Sequence, residues 1–147
     1  MVALVGDKLD QCRRRVQYDT LGHRGRTGDP LYAARRTLRT GEGLLTDKQK
    51  ARLAGLFADE EHLPVEVGWC VYQDVIAAYR NPDKTSGKAA MTRIIDNLRH
   101  GVPAGLDELA QLGRTLHRRR HDILAWFTHP GSSNGPTEAI NGRLEHL

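Results

Sequence analysis

The sequence has few aromatic residues and no long apolar run. Phenylalanine, tryptophan and tyrosine make up 5% of its 147 residues, so the core of a folded domain would be built mainly from aliphatic side chains. No apolar run approaches the ~18 to 20 residues that a membrane-spanning helix needs, and no charged segment followed by an apolar one opens the chain as in an export signal. We therefore expect a cytoplasmic protein without a membrane partner.

Cysteine is scarce, and neither cysteine belongs to a recognisable motif. Cys12 and Cys70 are far apart in the sequence and form no Cys-x-x-Cys pair, which predicts two free thiols in a reducing compartment. The Gly-x-Ser-x-Gly pattern of serine hydrolases is absent as well. A serine or cysteine nucleophile therefore has no support in the sequence.

Charge of one sign does not dominate the chain. Its 22 Lys and Arg residues against 18 Asp and Glu residues give a formal net charge of +4, which is compatible with a polyanionic partner but does not require one. The arginines are nevertheless clustered within three predicted helices: Arg13, Arg14 and Arg15; Arg35, Arg36 and Arg39; Arg118, Arg119 and Arg120. Two interpretations stay open: a converging stripe that binds DNA phosphates, or ordinary solvated faces with acidic residues interleaved.

His117 and His121 have the spacing at which two imidazoles on one helix can share a metal. The residues between them are the three arginines at 118–120, so the glutamate of the zinc-protease pattern is missing and three positive charges would repel a cation. The sequence therefore argues against a metal site at this histidine pair.

Most of the chain has the periodicity of amphipathic helices. Apolar residues recur at intervals of three and four, and the predicted helices begin near residues 2, 30, 47, 63, 86, 105 and 136. Thr46 and Gln49 fit a capping box. The segment 63–80 could locally be interpreted as a strand, but its apolar stripe is long enough to favour a helix, and 105–127 is predicted as one long helix. The expected fold is all-α, with about seven helices.

The closing segment, SNGPTEAINGRLEHL, has the pattern of a loop that turns into a helix. Pro136 suits the first helical position, so Glu138 falls in the first turn. An acidic residue there gains about 0.3 to 1 kcal/mol from the helix dipole, and most such residues have no further role. Spacing alone therefore favours a structural role for Glu138.

The same segment resembles the one that carries the last catalytic carboxylate in a family of bacterial insertion-sequence transposases of the DDE type. The segments YAARRTLRTGEGLLTDKQKARL, VEVGWCVYQDVIAAYR and ELAQLGRTLHRRRHDILAWF precede it in an order similar to the carboxy-terminal part of those proteins. The resemblance implies an RNase H-like catalytic domain with a helical insertion before its last carboxylate. Residues 1–131 would then correspond to the insertion and 132–147 to the start of the catalytic helix.

This resemblance makes Glu138 the catalytic glutamate and a metal ligand, with Asn134 and Asn141 flanking it in the same motif. Such a site needs three carboxylates around two divalent metals, Mg²⁺ or Mn²⁺, and the family's other two are aspartates that lie upstream. None of the aspartates at 7, 10, 19 and 29 lies in a matching motif. We therefore expect a truncated transposase that holds no metal and performs no strand transfer alone, while its parent binds transposon-end DNA.

Two alternatives remain open at this stage. The chain could be a small basic helical module that binds DNA or protein without catalysis, for example by interfering with a full-length transposase through the same surfaces. It could also fail to fold stably alone, if its helices depend on a sheet that it lacks.

Overall fold

The computed structural model describes residues 1–23 and 26–128, and within these residues it contains no strand. The all-α prediction is confirmed. The helices are α1 (Val2–Leu21), α2 (Pro30–Ala33), α3 (Arg35–Leu38), α4 (Asp47–Phe57), α5 (Leu63–Arg80), α6 (Lys84–His100), α7 (Asp107–Arg118) and α8 (Arg120–Thr128). Two short 3-10 turns, Glu42–Leu44 and Glu60–His62, flank α4. No helix among the described residues combines the length and apolarity needed to cross a membrane.

The closing segment lies outside the described residues. The predicted helix after Asn134 and the division between 1–131 and 132–147 therefore stay predictions.

The core forms along the contact between α1 and α5. The predicted apolar stripe of α1 is buried, and Gly68 of α5 leaves room for Leu9, whose Cδ1 lies 3.3 Å from where a β-carbon at position 68 would stand. As the composition predicts, aliphatic side chains make up most of the core, and Tyr72, Tyr79 and Phe127 are its buried aromatics.

Local signals in the sequence place the helix starts well. The amide of Gln49 donates to Thr46 Oγ1 (3.2 Å) and the amide of Thr46 donates to Gln49 Oε1 (2.9 Å), so the predicted capping box is confirmed. Segment 63–80 is a helix rather than a strand. Helix α6 begins two residues before the predicted start, because Asp83 Oδ1 accepts from the amide of Thr85 (3.0 Å) and caps the first turn.

The prediction of one long helix over 105–127 is wrong, because the helix breaks at Arg119 (φ −100°, ψ 16°). The break lets α8 turn its last residues onto α5, where the ring of Tyr79 lies 5.1 Å from those of both Trp126 and Phe127. Gly87 provides the space, since a β-carbon there would lie 3.1 Å from Phe127 Cε1. Burial of this aromatic cluster stabilises the bent arrangement.

The helix predicted from Pro30 onward is also interrupted, at Ala34 (φ −88°, ψ 1°). Next to the break, the carbonyl of Tyr32 accepts a hydrogen bond from Arg35 Nη1 (2.9 Å). A side-chain donor that competes for a helical carbonyl is a common cause of kinks. Leu31 and Leu38, on either side of the break, are nevertheless buried.

Candidate nucleic-acid interface

The predicted catalytic segment is not among the described residues. Glu138, Asn134 and Asn141 all fall in the stretch after residue 128, so their roles stay predictions. Over residues 1–23 and 26–128, no group of three or more His, Cys, Asp or Glu side chains could hold a metal ion. The described residues therefore do not fit the Mg²⁺ or Mn²⁺ site that the family resemblance implies.

Arg15 of the first arginine cluster joins two helices. Its Nε donates to Glu108 Oε2 (2.9 Å) and its Nη2 to Glu108 Oε1 (3.0 Å) and to the carbonyl of Gly105 (3.1 Å). Burial opposes the charged form of Glu108, but the Arg15 guanidinium outweighs it and lowers the pKa of Glu108. The hydrogen bond to Glu108 in turn raises the pKa of Arg15. The pair fixes the second half of α1 to the start of α7.

The other two arginines of this cluster differ in exposure. Arg13 is buried, donates through Nη1 to Gln17 and lies 3.8 Å from Asp10 Oδ1, and burial lowers its pKa. Arg14 is exposed, and its Nε donates to the backbone carbonyl of Asp10 (3.2 Å). Of the first cluster, Arg14 is therefore the residue best placed to meet a ligand from solution.

The second cluster shares a carboxylate with the first. Arg39 Nη1 pairs with Asp10 Oδ2 (2.8 Å) and Asp7 Oδ1 (3.0 Å), and its guanidinium lies so close over Gly6 that a β-carbon there would be 2.5 Å from Nη2. Arg35 stacks on the ring of Tyr32 at 4.0 Å. Arg36 is exposed. The first two clusters therefore meet, but around acidic side chains that offset much of their charge.

The third cluster lies apart from the first. Arg118 and Arg119 are exposed, and Arg120 Nη1 pairs with Asp96 Oδ1 (3.2 Å). Glu108, which holds Arg15, is in the first turn of α7, whereas Arg119 follows its last residue. Eleven residues of helix span about 16 Å, so the structure does not bring the nine arginines into one patch.

The surface of α6 that borders α7 and α8 carries a second set of basic side chains, in two separate hollows. Its larger hollow, of ≈ 450 Å³, is lined by Leu98, Arg99, His100, Val102, Ala110, Arg114 and His117. Its smaller hollow, of ≈ 290 Å³, is lined by Lys88, Arg120, His121, Leu124, Ala125 and Thr128. We call these two hollows together the α6 groove.

The sequence predictions missed most of this groove. Lys88, Arg99 and Arg114 stand singly in their helices rather than in runs, so clustering in the sequence could not identify them. One signal was available: Arg114, His117 and His121 repeat at helical spacing. In the tertiary structure, His117 and His121 lie among basic side chains rather than in a set of metal ligands.

Comparison with known proteins gives one result. No curated protein and no solved structure matches the chain. A family model, DDE_Tnp_ISL3, described as a transposase, matches residues 1–147. The resemblance seen in the sequence is thereby confirmed over the whole chain, and the protein belongs to the ISL3 family of insertion-sequence transposases.

Proposed function

We propose that this chain is the helical, DNA-contacting part of a transposase. The intact transposase would cleave DNA and transfer strands in a metal-dependent reaction of the DDE type. The observation that carries the proposal is the family match over residues 1–147. Glu138, flanked by Asn134 and Asn141, would supply one of three carboxylates that such a site needs. The chain by itself should then bind DNA without cutting it.

The distribution of positive charge supports the DNA contact. Arg14, Arg36, Arg118 and Arg119 are exposed, and none of the four forms a salt bridge within the described part of the chain. The planar guanidinium group of arginine suits phosphate oxygens well. By contrast, Arg15, Arg39 and Arg120 are paired with carboxylates of other helices. We therefore assign DNA contact to the four exposed arginines and a structural role to the paired ones.

Binding to DNA can be tested by fluorescence anisotropy with a labelled duplex of random sequence at several salt concentrations. Each neutralised phosphate contributes about −0.9 to the slope of log K against log salt, so the four arginine contacts should contribute roughly −4 to the slope. Replacing all four by glutamine should reduce the magnitude of the slope by about that amount. Absence of binding by the unmodified chain at low salt would overturn the proposed DNA contact.

Catalysis is tested separately. The purified chain is incubated with supercoiled plasmid and linear transposon-end DNA in Mg²⁺ or Mn²⁺, and nicking and strand transfer are followed on gels. We expect no product. Cleavage that disappears in a Glu138→Gln variant would show that the chain assembles a complete active site. Binding without cleavage would be equally expected of a binding module without catalysis. That alternative requires a further assay, in which the chain is added to an active transposase of the family and inhibition of strand transfer is measured.

A further inference from the structure

We infer that the α6 groove is a phosphate-binding track, with each of its two hollows receiving a phosphate of the same nucleic-acid backbone. Such a site would serve the DNA contact proposed above, and it lies on residues other than the four exposed arginines assigned there. The ligand class is a polyanion with regularly spaced phosphates rather than a single small anion.

The close crossing of α6 and α7 creates the larger hollow. A β-carbon at Gly113 would lie 2.6 Å from the carbonyl oxygen of Leu98, so the two backbones are almost in contact at this point. The neighbouring residues on each helix, Arg99 and Arg114, therefore line one hollow although they are far apart in the sequence.

The charge of the larger hollow is uncompensated within the described part of the chain. Arg99 and Arg114 are exposed and form no salt bridge there, and no carboxylate lines the hollow. The Nδ1 atom of His117 is buried without a hydrogen-bond partner among the described residues. By contrast, the partly buried arginines Arg15 and Arg39 are paired with carboxylates. The hollow therefore presents uncompensated positive charge to an anion.

Helix-dipole stabilisation explains only part of this arrangement. Arg99 and His100 are in the last turn of α6, where basic residues gain about 0.3 to 1 kcal/mol from the helix dipole. Arg114 is in the middle of α7 and gains nothing comparable. Its position beside Arg99 is therefore better explained by a bound anion.

The smaller hollow lies nearer the start of α6. Lys88 Nζ donates to Thr128 Oγ1 (2.8 Å), and Arg120 is held by Asp96 (3.2 Å). Lys88 and the exposed His121 are left to meet an anion. The positive charge of the groove therefore extends along α6 beyond the larger hollow.

The distance between the hollows selects the ligand. Lys88 and Arg99 are eleven residues apart on α6, which corresponds to about 16 Å along the helix axis. A phosphate ion or a mononucleotide would occupy one hollow only. Each strand of duplex DNA carries one negative charge per ~3.4 Å of the helix axis, so one backbone presents phosphates to both hollows.

The test uses the full chain and a fluorescein-labelled duplex of random sequence, with anisotropy measured at several salt concentrations. Arg99→Gln with Arg114→Gln should weaken binding about tenfold at moderate salt and reduce the magnitude of the salt slope by about 2. Lys88→Gln with His121→Gln should reduce that magnitude by about 1. Arg99→Lys with Arg114→Lys should retain the slope, because the charge is kept.

The matched control is Arg52→Gln with Arg93→Gln. Both residues are exposed and line neither hollow, and the net charge changes by the same amount as in the first variant. We expect this control to weaken binding by less than half as much as the Arg99/Arg114 variant does. Circular dichroism melts check that each variant is folded, as expected for exposed positions.

Failure of this inference can be told apart from failure of the proposed function. If the unmodified chain binds DNA and the Arg99/Arg114 variant weakens binding no more than the control, the groove is not the phosphate track, while the DNA contact stands. If the unmodified chain does not bind the duplex at low salt, both are overturned. If inorganic phosphate saturates the chain and displaces the duplex at matched ionic strength, the inference that the ligand must present two linked phosphates is contradicted.

Discussion

Arginine has two distinct roles in this protein, and the partner of each side chain decides which one applies. Arg15 and Arg39 each contact carboxylates on other helices, with N–O distances of 2.8 to 3.0 Å. Their aliphatic stems and paired charges stabilise helix packing. Arg99 and Arg114, with no carboxylate partner among the described residues, keep their charge available at the surface.

The Arg15–Glu108 pair should make stability depend on pH. Because Arg15 lowers the pKa of Glu108 in the folded chain, the stabilisation is fully present above the ordinary glutamate pKa of about 4.3 and is lost as the pH falls through the lowered value. We expect Glu108→Gln to reduce the free energy of unfolding by about 1.5 to 3 kcal/mol at neutral pH, and this difference should shrink below about pH 4.

Urea unfolding followed by circular dichroism at a series of pH values measures this difference. Asp107→Asn is the matched control, because Asp107 is in the same first turn of α7 but is exposed. This substitution should reduce the free energy of unfolding by only about 0.3 to 1 kcal/mol. A cost of Glu108→Gln that stays constant from neutral to acidic pH would contradict the ion-pair explanation.

The two thiols should differ strongly in reactivity. Burial raises the pKa of Cys12 to about 12. Desolvation, followed by the nearby carboxylate of Glu66, also raises the pKa of Cys70, but Cys70 is exposed and open to reagent. Since the thiolate is the reactive form, we expect Ellman's reagent to modify one thiol of the native protein at about pH 8 and both thiols only in denaturant. The Cys70→Ser variant should show no fast reaction, and rapid modification of that variant would show that Cys12 is accessible.

At the scale of elements, contacts between helices depend on a few glycines. Gly113 allows α7 to touch the backbone of α6 at Leu98, and Gly87 allows Phe127 to cover the start of α6. A side chain at position 113 would have to move one helix away from the other, since the obstructing atoms belong to the backbone.

Gly113→Ala should therefore destabilise the protein by about 1 to 3 kcal/mol through overpacking. Gly55→Ala is the matched control. Gly55 is also inside a helix, and a β-carbon there would meet nothing within 4 Å, so this substitution should stabilise the protein by about 0.4 to 1 kcal/mol. Thermal denaturation of the two variants compares them directly. A Gly113→Ala protein as stable as the parent would show that α6 and α7 are less tightly packed than described.

At the scale of the whole molecule, one buried cluster connects the helices from α1 to α8. It includes Val5 of α1, Tyr72 of α5, Met91 of α6, Leu112 of α7 and Phe127 of α8. Because these helices share a single core, none of them can lose its packing without exposing the others. This continuity favours independent folding over the alternative that the helices require a sheet for support.

We therefore expect cooperative, two-state thermal unfolding of the isolated chain. The calorimetric enthalpy should equal the van't Hoff enthalpy, and far-UV circular dichroism and tryptophan fluorescence should give coincident transitions. Trp69 reports on α5 and Trp126 on α8, so the fluorescence follows two parts of the core. A broad melt with separate transitions would instead favour helices that do not form a stable domain alone.

The sequence by itself determined the helical class, most helix starts, the capping box at Thr46 and the family. These features depend on neighbours within about one turn, or on motifs carried in the chain itself, so local spacing contains the necessary information. The role of Glu138 stays a prediction of this kind, since that residue lies outside the described part.

Only the tertiary structure decided what the charges do. Arg15 meets Glu108 across 93 residues of sequence and Arg39 meets Asp10 across 29, and no local pattern distinguishes these paired arginines from the free ones. The breaks at Ala34 and Arg119 likewise follow from a competing guanidinium and from burial of an aromatic cluster. Because helix packing determines which side chains come within a few ångströms, the α6 groove could be recognised only once α6, α7 and α8 were seen together.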